Sequence, residues 1–227
     1  MKAYRLSPDE IYHLKKIERF GGHYSFQRWP EIYWGTPQKE QRLAETLNNT
    51  FDTDYLGGYH HDENAEGHIE LYKDRIENCA DQIAIDLGLD YDTTYADLCY
   101  IVLMHEMGHW FTHWCHKELF AYRRKIYIEQ PKEVKETLAQ LTVMWSFARL
   151  SNAKVNRRKK IFFHLAEQQS QPYQHVLKFE SFYTKRGTVL RRFNDLLDEK
   201  DWGIEYLLDG RKHSDIVKEI TSKKGML

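Results

Sequence analysis

The feature that most restricts this chain is a run in which His105, Glu106 and His109 sit among uncharged neighbours. Val102, Leu103 and Met104 precede the two His, and Met107, Gly108, Trp110 and Phe111 lie between and after them. A helix of this composition belongs in the interior, because a stray charge there is costly to desolvate. A surface helix bearing two solvated His would show charges between and around them. Apart from Glu106, none is present.

Two His separated by three residues share one helix face, about one turn apart. Their imidazole nitrogens can reach a single zinc ion. Glu106, beside the first His, can accept a proton from a water activated by such an ion and return it to a leaving amine. The pattern therefore assigns His105 and His109 as metal ligands and Glu106 as general base.

The chain's 227 residues suffice for one large domain with a proper core. The three cysteines, Cys79, Cys99 and Cys115, show no CxxC spacing and read as reduced thiols, not as a disulfide framework. Residues 1–8 lack the apolar stretch of a signal peptide, and Ile101–Met104 is far too short to span a bilayer. The expected location is the cytoplasm, with no membrane partner. Net charge is −1, yet acidic residues dominate from Glu31 to Glu106 and basic ones from Ser151 to Arg192. Attraction between these regions within one fold is favoured over steering of an external partner. Charge runs such as Arg157-Arg158-Lys159-Lys160 usually mark a solvated helix face, so nucleic acid is not the expected partner.

Ser7-Pro8-Asp9-Glu10 signals a helix start over residues 7–20, and residues 21–37 read as loop or irregular strand. A helix is predicted over 38–51, a loop at Gly57-Gly58 and 60–67, and a short half-buried or edge strand over His68–Tyr72. Helices follow at 76–87, closed by Gly88, then from a Thr93-Thr94 cap towards Cys115, and over 132–150 behind Pro131. Further helices are expected at 154–168, 175–184, 187–200 and 214–223. The predicted fold is mainly α (α+β), a single domain over 1–227. It has a metal-site core at about 55–150, a helical part at about 151–227, and a small antiparallel or mixed sheet.

The motif resembles that of the zincin metallopeptidases, whose signature is HExxH in an uncharged helix. The metzincin branch places a Gly and then a third His after the motif; here those positions hold Thr112 and Cys115. Cys115 is a weak substitute. His113 and His116 are carried away along a straight helix. The gluzincin branch takes its third ligand as a Glu on the following helix. The run Glu133-Val134-Lys135-Glu136-Thr137-Leu138-Ala139-Gln140 offers two, of which Glu136 is preferred because it lies on a stripe with Gln140, Val143 and Phe147. Glu133 is the rival, although a first-turn Glu also answers the helix dipole. Ala139 is similar to the small residue that leaves room for the motif helix in such enzymes.

The resemblance covers residues from about 68 to 145 and extends loosely to the ImmA/IrrE-type cytoplasmic peptidases, which are similar in outline, although no DNA-binding domain of their usual type is evident. It implies Zn2+ as cofactor and an edge strand near Ile69–Tyr72 that lines the active-site cleft and aligns an extended peptide. It also implies an oxyanion donor from outside the motif, for which Tyr173 and His175 are the choices. The expected substrate is a peptide or protein, narrow in range and intracellular. Two other readings stand beside it. One is a non-peptidase zinc hydrolase, although the Gly-Cys-Leu context of deformylases is missing. The other is a zinc-stabilised regulatory or binding module.

Overall fold

The computed structural model describes residues 2–12, 30–35, 53–62, 65–114, 132–147, 152–174 and 176–177. The helices expected at 38–51, 187–200 and 214–223 lie outside these residues, as does nearly all of that at 175–184. Four strands form one mixed sheet: β1 (Lys2–Ala3), β2 (Glu31–Gly35), β3 (Gly57–Asp62) and β4 (Ala65–Tyr72), in the order β1-β2-β4-β3. β4 pairs in parallel with β2 and antiparallel with β3, while β1 pairs antiparallel with β2. Helices α1 (Lys73–Leu87), α2 (Tyr91–Trp114), α3 (Lys132–Phe147), α4 (Ala153–Gln168) and the single turn α5 (Gln171–Gln174) complete the mainly α fold.

The sheet corrects two expectations. β4, which contains His68–Tyr72, is an interior strand with neighbours on both sides, and among the described residues the edge on that side belongs to β3. Gly57-Gly58 and the polar residues after them, read as loop, are that edge strand. The alternation of Gly67, Ile69 and Leu71 (buried) with His68 and Glu70 (half-buried) is real. Such alternation reports that one face of a sheet is covered; it says nothing about neighbours in the plane. A polar edge strand with two glycines carries little strand signal of its own, and a bulge between His60 and Asp62 breaks it further.

α2 is the axis of the molecule. From Asp97 to His113 every residue is buried except His105, which is intermediate. A helix covered on all sides is what an uncharged sequence requires. β3 and β4 lie against it, and α1, α3 and α4 pack around it. α1 shows the ordinary one-faced pattern, burying Ile76, Cys79, Ala80, Ile83 and Ala84. It ends at Gly88, whose φ of 62° is left-handed and whose N–H caps the helix. The start of α2 departs from expectation. Asp90 caps it, accepting from the Thr93 N–H at 3.0 Å, and Thr94 donates to the Asp90 carbonyl at 2.7 Å.

Among the described residues, part of the charge asymmetry is answered inside the fold. Arg158 Nε donates to Asp97 Oδ1 at 2.7 Å and Arg157 Nε to Asp97 Oδ2 at 2.6 Å. Arg158 also reaches Asp9 at 3.3 Å and stacks over the Tyr100 ring at 3.8 Å. Lys154 pairs with Asp9. Half of the Arg157-Arg158-Lys159-Lys160 run is thus consumed in joining α4 to α2. Among the described residues, no helix is long and apolar enough to cross a membrane.

Candidate metal centre

His105 and His109 stand one turn apart on α2, and Glu136 faces them from the first turns of α3. Their donor atoms form a nearly equilateral triangle. His105 Nε2 lies 3.1 Å from Glu136 Oε2 and 3.1 Å from His109 Nε2, and His109 Nε2 lies 3.2 Å from Glu136 Oε2. A tetrahedral zinc with bonds of about 2.0–2.1 Å spaces its ligands about 3.3 Å apart. The triangle already has nearly that edge, and two imidazoles with one carboxylate are a donor set zinc accepts. The residues present fit such an ion. All three side chains are 10–12% exposed, enough to leave one side of the triangle open.

Close approach of α2 and α3 makes this possible. A Cβ on Gly108 would come 2.7 Å from the Ala139 Cα and 2.9 Å from Thr142 Oγ1. Gly108 and Ala139 therefore let two helix backbones meet where any side chain would separate them. Glu136, one turn before Ala139, is carried to the histidines by that contact. Burial raises its carboxyl, but the His109 and His105 imidazoles outweigh burial and hold Glu136 well below the usual carboxylate range.

Glu106 follows a different balance. Its carboxyl is buried, and burial pushes it up to about 7; His105 opposes that rise, Glu136 adds to it, and a backbone hydrogen bond involving Tyr59 opposes it. The side chain abuts Gly57 of β3, where a Cβ would stand 3.1 Å from Glu106 Oε1 and 2.9 Å from Val102 Cγ1. A small cavity of ≈20 Å³ opens beside it, lined among others by Gly57, His105, Glu106, Gln140 and Tyr173. That is room for about one water. The edge strand thus borders the cleft, as expected of an edge, though it is not the strand first assigned.

Tyr173 is buried in α5, its ring 5.8 Å from that of His105, with Lys132 Nζ 5.4 Å from its centroid. Burial first, then the Glu136 carboxylate, raise its hydroxyl far above the ordinary value, so it stays protonated. Polar contacts fix this corner. Gln169 Nε2 donates to the Thr53 carbonyl at 2.9 Å, Gln140 Nε2 to Gln169 Oε1 at 3.3 Å, and the Ser170 N–H to Asp54 Oδ1 at 2.8 Å.

His105, Glu106, His109, Glu136 and Tyr173 are therefore brought together. His175, Cys115, His116 and the Glu133 side chain lie outside the described residues. His113 is buried away from the triangle, with Nδ1 2.8 Å from the Tyr59 hydroxyl. Sequence reasoning missed Gly57, Gln140 and Gln169 as cleft residues. The Gly57-Gly58 pair was the available signal, since paired glycines also mark a close backbone approach. Comparison with known proteins finds no matching family model, curated protein or solved structure.

Proposed function

We propose that this chain is a zinc-dependent metallopeptidase of zincin type, gluzincin-like in its ligand set. The observation that carries the reading is the triangle of His105, His109 and Glu136 with a buried carboxylate, Glu106, beside it at the cleft. A zinc ion bound there would supply a Lewis acid that activates water and polarises a peptide carbonyl. Glu106, buried beside the triangle, accepts the proton of the attacking water and delivers it to the leaving amine. Tyr173, kept protonated, donates a hydrogen bond to the oxygen on which charge develops. β3 offers its edge to an extended substrate backbone, with Gly57 giving the closest approach.

The thiols of Cys79 and Cys99 are free and buried, each raised to about 12 by burial, which suits a reducing, cytoplasmic location. A narrow intracellular peptide or protein substrate fits that location; broad cleavage of unfolded casein by the pure enzyme would refute it. The alternative of a zinc-stabilised binding module would have to do without Arg157 and Arg158, which are engaged with Asp97. It also gives Glu106 no task.

The deciding experiment is elemental analysis beside a peptide-library cleavage assay on wild type, Glu136→Ala and Glu106→Gln. The reading expects zinc and cleavage in wild type, neither at this site in Glu136→Ala, and zinc without cleavage in Glu106→Gln. Zinc retained at full occupancy in both Glu136→Ala and a His105→Ala/His109→Ala variant would end it.

A further inference from the structure

A second group of His and Glu side chains, of the types that ligate metals, converges on the sheet. His60 of β3 and His68 of β4 are register partners, directly opposite one another. Their rings stack nearly parallel, 5.0 Å apart at 19°, so both present Nε2 towards the same carboxylate. That carboxylate is Glu70, on the same face of β4 as His68. His60 Nε2 stands 3.5 Å from Glu70 Oε2, and His68 Nε2 3.4 Å from Glu70 Oε1. The donor atoms of the three residues all lie within 4.8 Å of one another.

We infer that His60, His68 and Glu70 form a second metal site, which takes a divalent first-row transition ion, zinc above all. Two imidazoles and one carboxylate favour such ions over calcium or magnesium, which prefer all-oxygen shells. Each imidazole faces its own oxygen of the one carboxylate, at 3.4 and 3.5 Å, and with all donors within 4.8 Å of one another the three side chains need only a small adjustment to close on one ion. The seat of Glu70 is built into the sheet. A Cβ on Gly35 of β2 would fall 2.4 Å from Glu70 Oε2 and 2.8 Å from Glu70 Cβ, so only glycine there leaves the carboxylate its place. The Tyr72 hydroxyl, on the same strand as Glu70, lies 3.4 Å from His60 Nε2 and so faces the same point on the sheet. Side-chain exposures of 26% for His60, 34% for His68 and 13% for Glu70 let an ion enter without opening the fold.

The site shares no ligand with the triangle on α2 and α3. It bridges β3 and β4, so an ion held there ties the edge strand, and with it Gly57 at the cleft, to the strand beside it. Binding at this site is expected to be weaker and more exchangeable than in the buried triangle.

The test is equilibrium dialysis of the full chain against zinc at neutral pH, with zinc counted by elemental analysis. Wild type is expected to take up two ions per chain. The His60→Asn/His68→Asn double variant should take up one fewer, and the isosteric Glu70→Gln should weaken that ion at least tenfold. Since the isostere preserves volume, it keeps the test open if the double variant misfolds. A His105→Asn/His109→Asn variant that still loses one further ion on adding His60→Asn/His68→Asn supports the site independently of the helical one. Zinc uptake unchanged by every one of the His60, His68 and Glu70 substitutions overturns it.

Discussion

The two His/Glu clusters employ the same side-chain types and differ in what holds them. In the first, two helices packed backbone to backbone at Gly108 and Ala139 carry the ligands, and donor spacings are 3.1–3.2 Å. In the second, adjacent strands in register carry them, the donors lie within 4.8 Å of one another with each His on its own Glu70 oxygen, and exposure is greater for His60 and His68. The helical cluster has a buried carboxylate, Glu106, a protonated phenol, Tyr173, and a cavity beside it. The strand cluster has the Tyr72 hydroxyl and the edge of the Tyr33 ring, 6.0 Å from His68. On the proposed reading, the same side-chain types suit different work: catalysis needs buried, preorganised neighbours, whereas an exchangeable ion needs only convergent donors and access.

Substitutions can break this contrast or sharpen it. Glu106→Gln is expected to lower turnover about 10³-fold or more while zinc content at both clusters stays unchanged, read by kinetics beside elemental analysis. A parallel loss of zinc would reassign Glu106 to binding. Tyr173→Phe should reduce kcat about 10²-fold with little change in KM or zinc, the mark of a group acting as charge develops. Gly108→Ala forces α2 and α3 apart. It should cost about 1–3 kcal/mol in denaturant unfolding and weaken only the helical ion. If zinc affinity at the triangle survived, the close helix contact would not be what positions Glu136. Gly35→Ala is the matching test on the sheet: by crowding Glu70 it should weaken the strand ion about tenfold in a zinc titration and leave cleavage intact.

Much of the helical architecture was legible because it is local. Ser7 and Glu10 form the reciprocal cap their spacing implies, with the Ser7 N–H donating to Glu10 Oε2 at 2.6 Å and the Glu10 N–H to Ser7 Oγ at 3.3 Å. Gly88 closes α1 as its position in the sequence implies. The convergence of Glu136 with His105 and His109 was also readable, since a carboxylate on an apolar stripe needs a partner. The sheet was not. β2 meets β4 through pairs such as Glu31↔His68, and no local pattern encodes a partner so distant. Asp90 displaced the expected Thr93-Thr94 cap because either residue type can serve and only the backbone path chooses. The pairing of His60 with His68 was hidden for the same reason as β3 itself: its neighbours looked like loop.

The register that sets His60 against His68 has a further consequence, in the behaviour of the chain before it folds. Bringing those two residues together closes a much shorter loop than bringing Glu136 to His105, which are 31 positions apart. The entropic difference is about 1 kcal/mol in favour of the strand pair. An unfolded chain can therefore gather His60, His68 and nearby His61 around zinc far more readily than it can assemble the helical triangle. Metal held by the denatured ensemble cancels part of the stabilisation the same metal gives the native one. Zinc should then raise the melting temperature mainly through the helical site, even where both sites are filled.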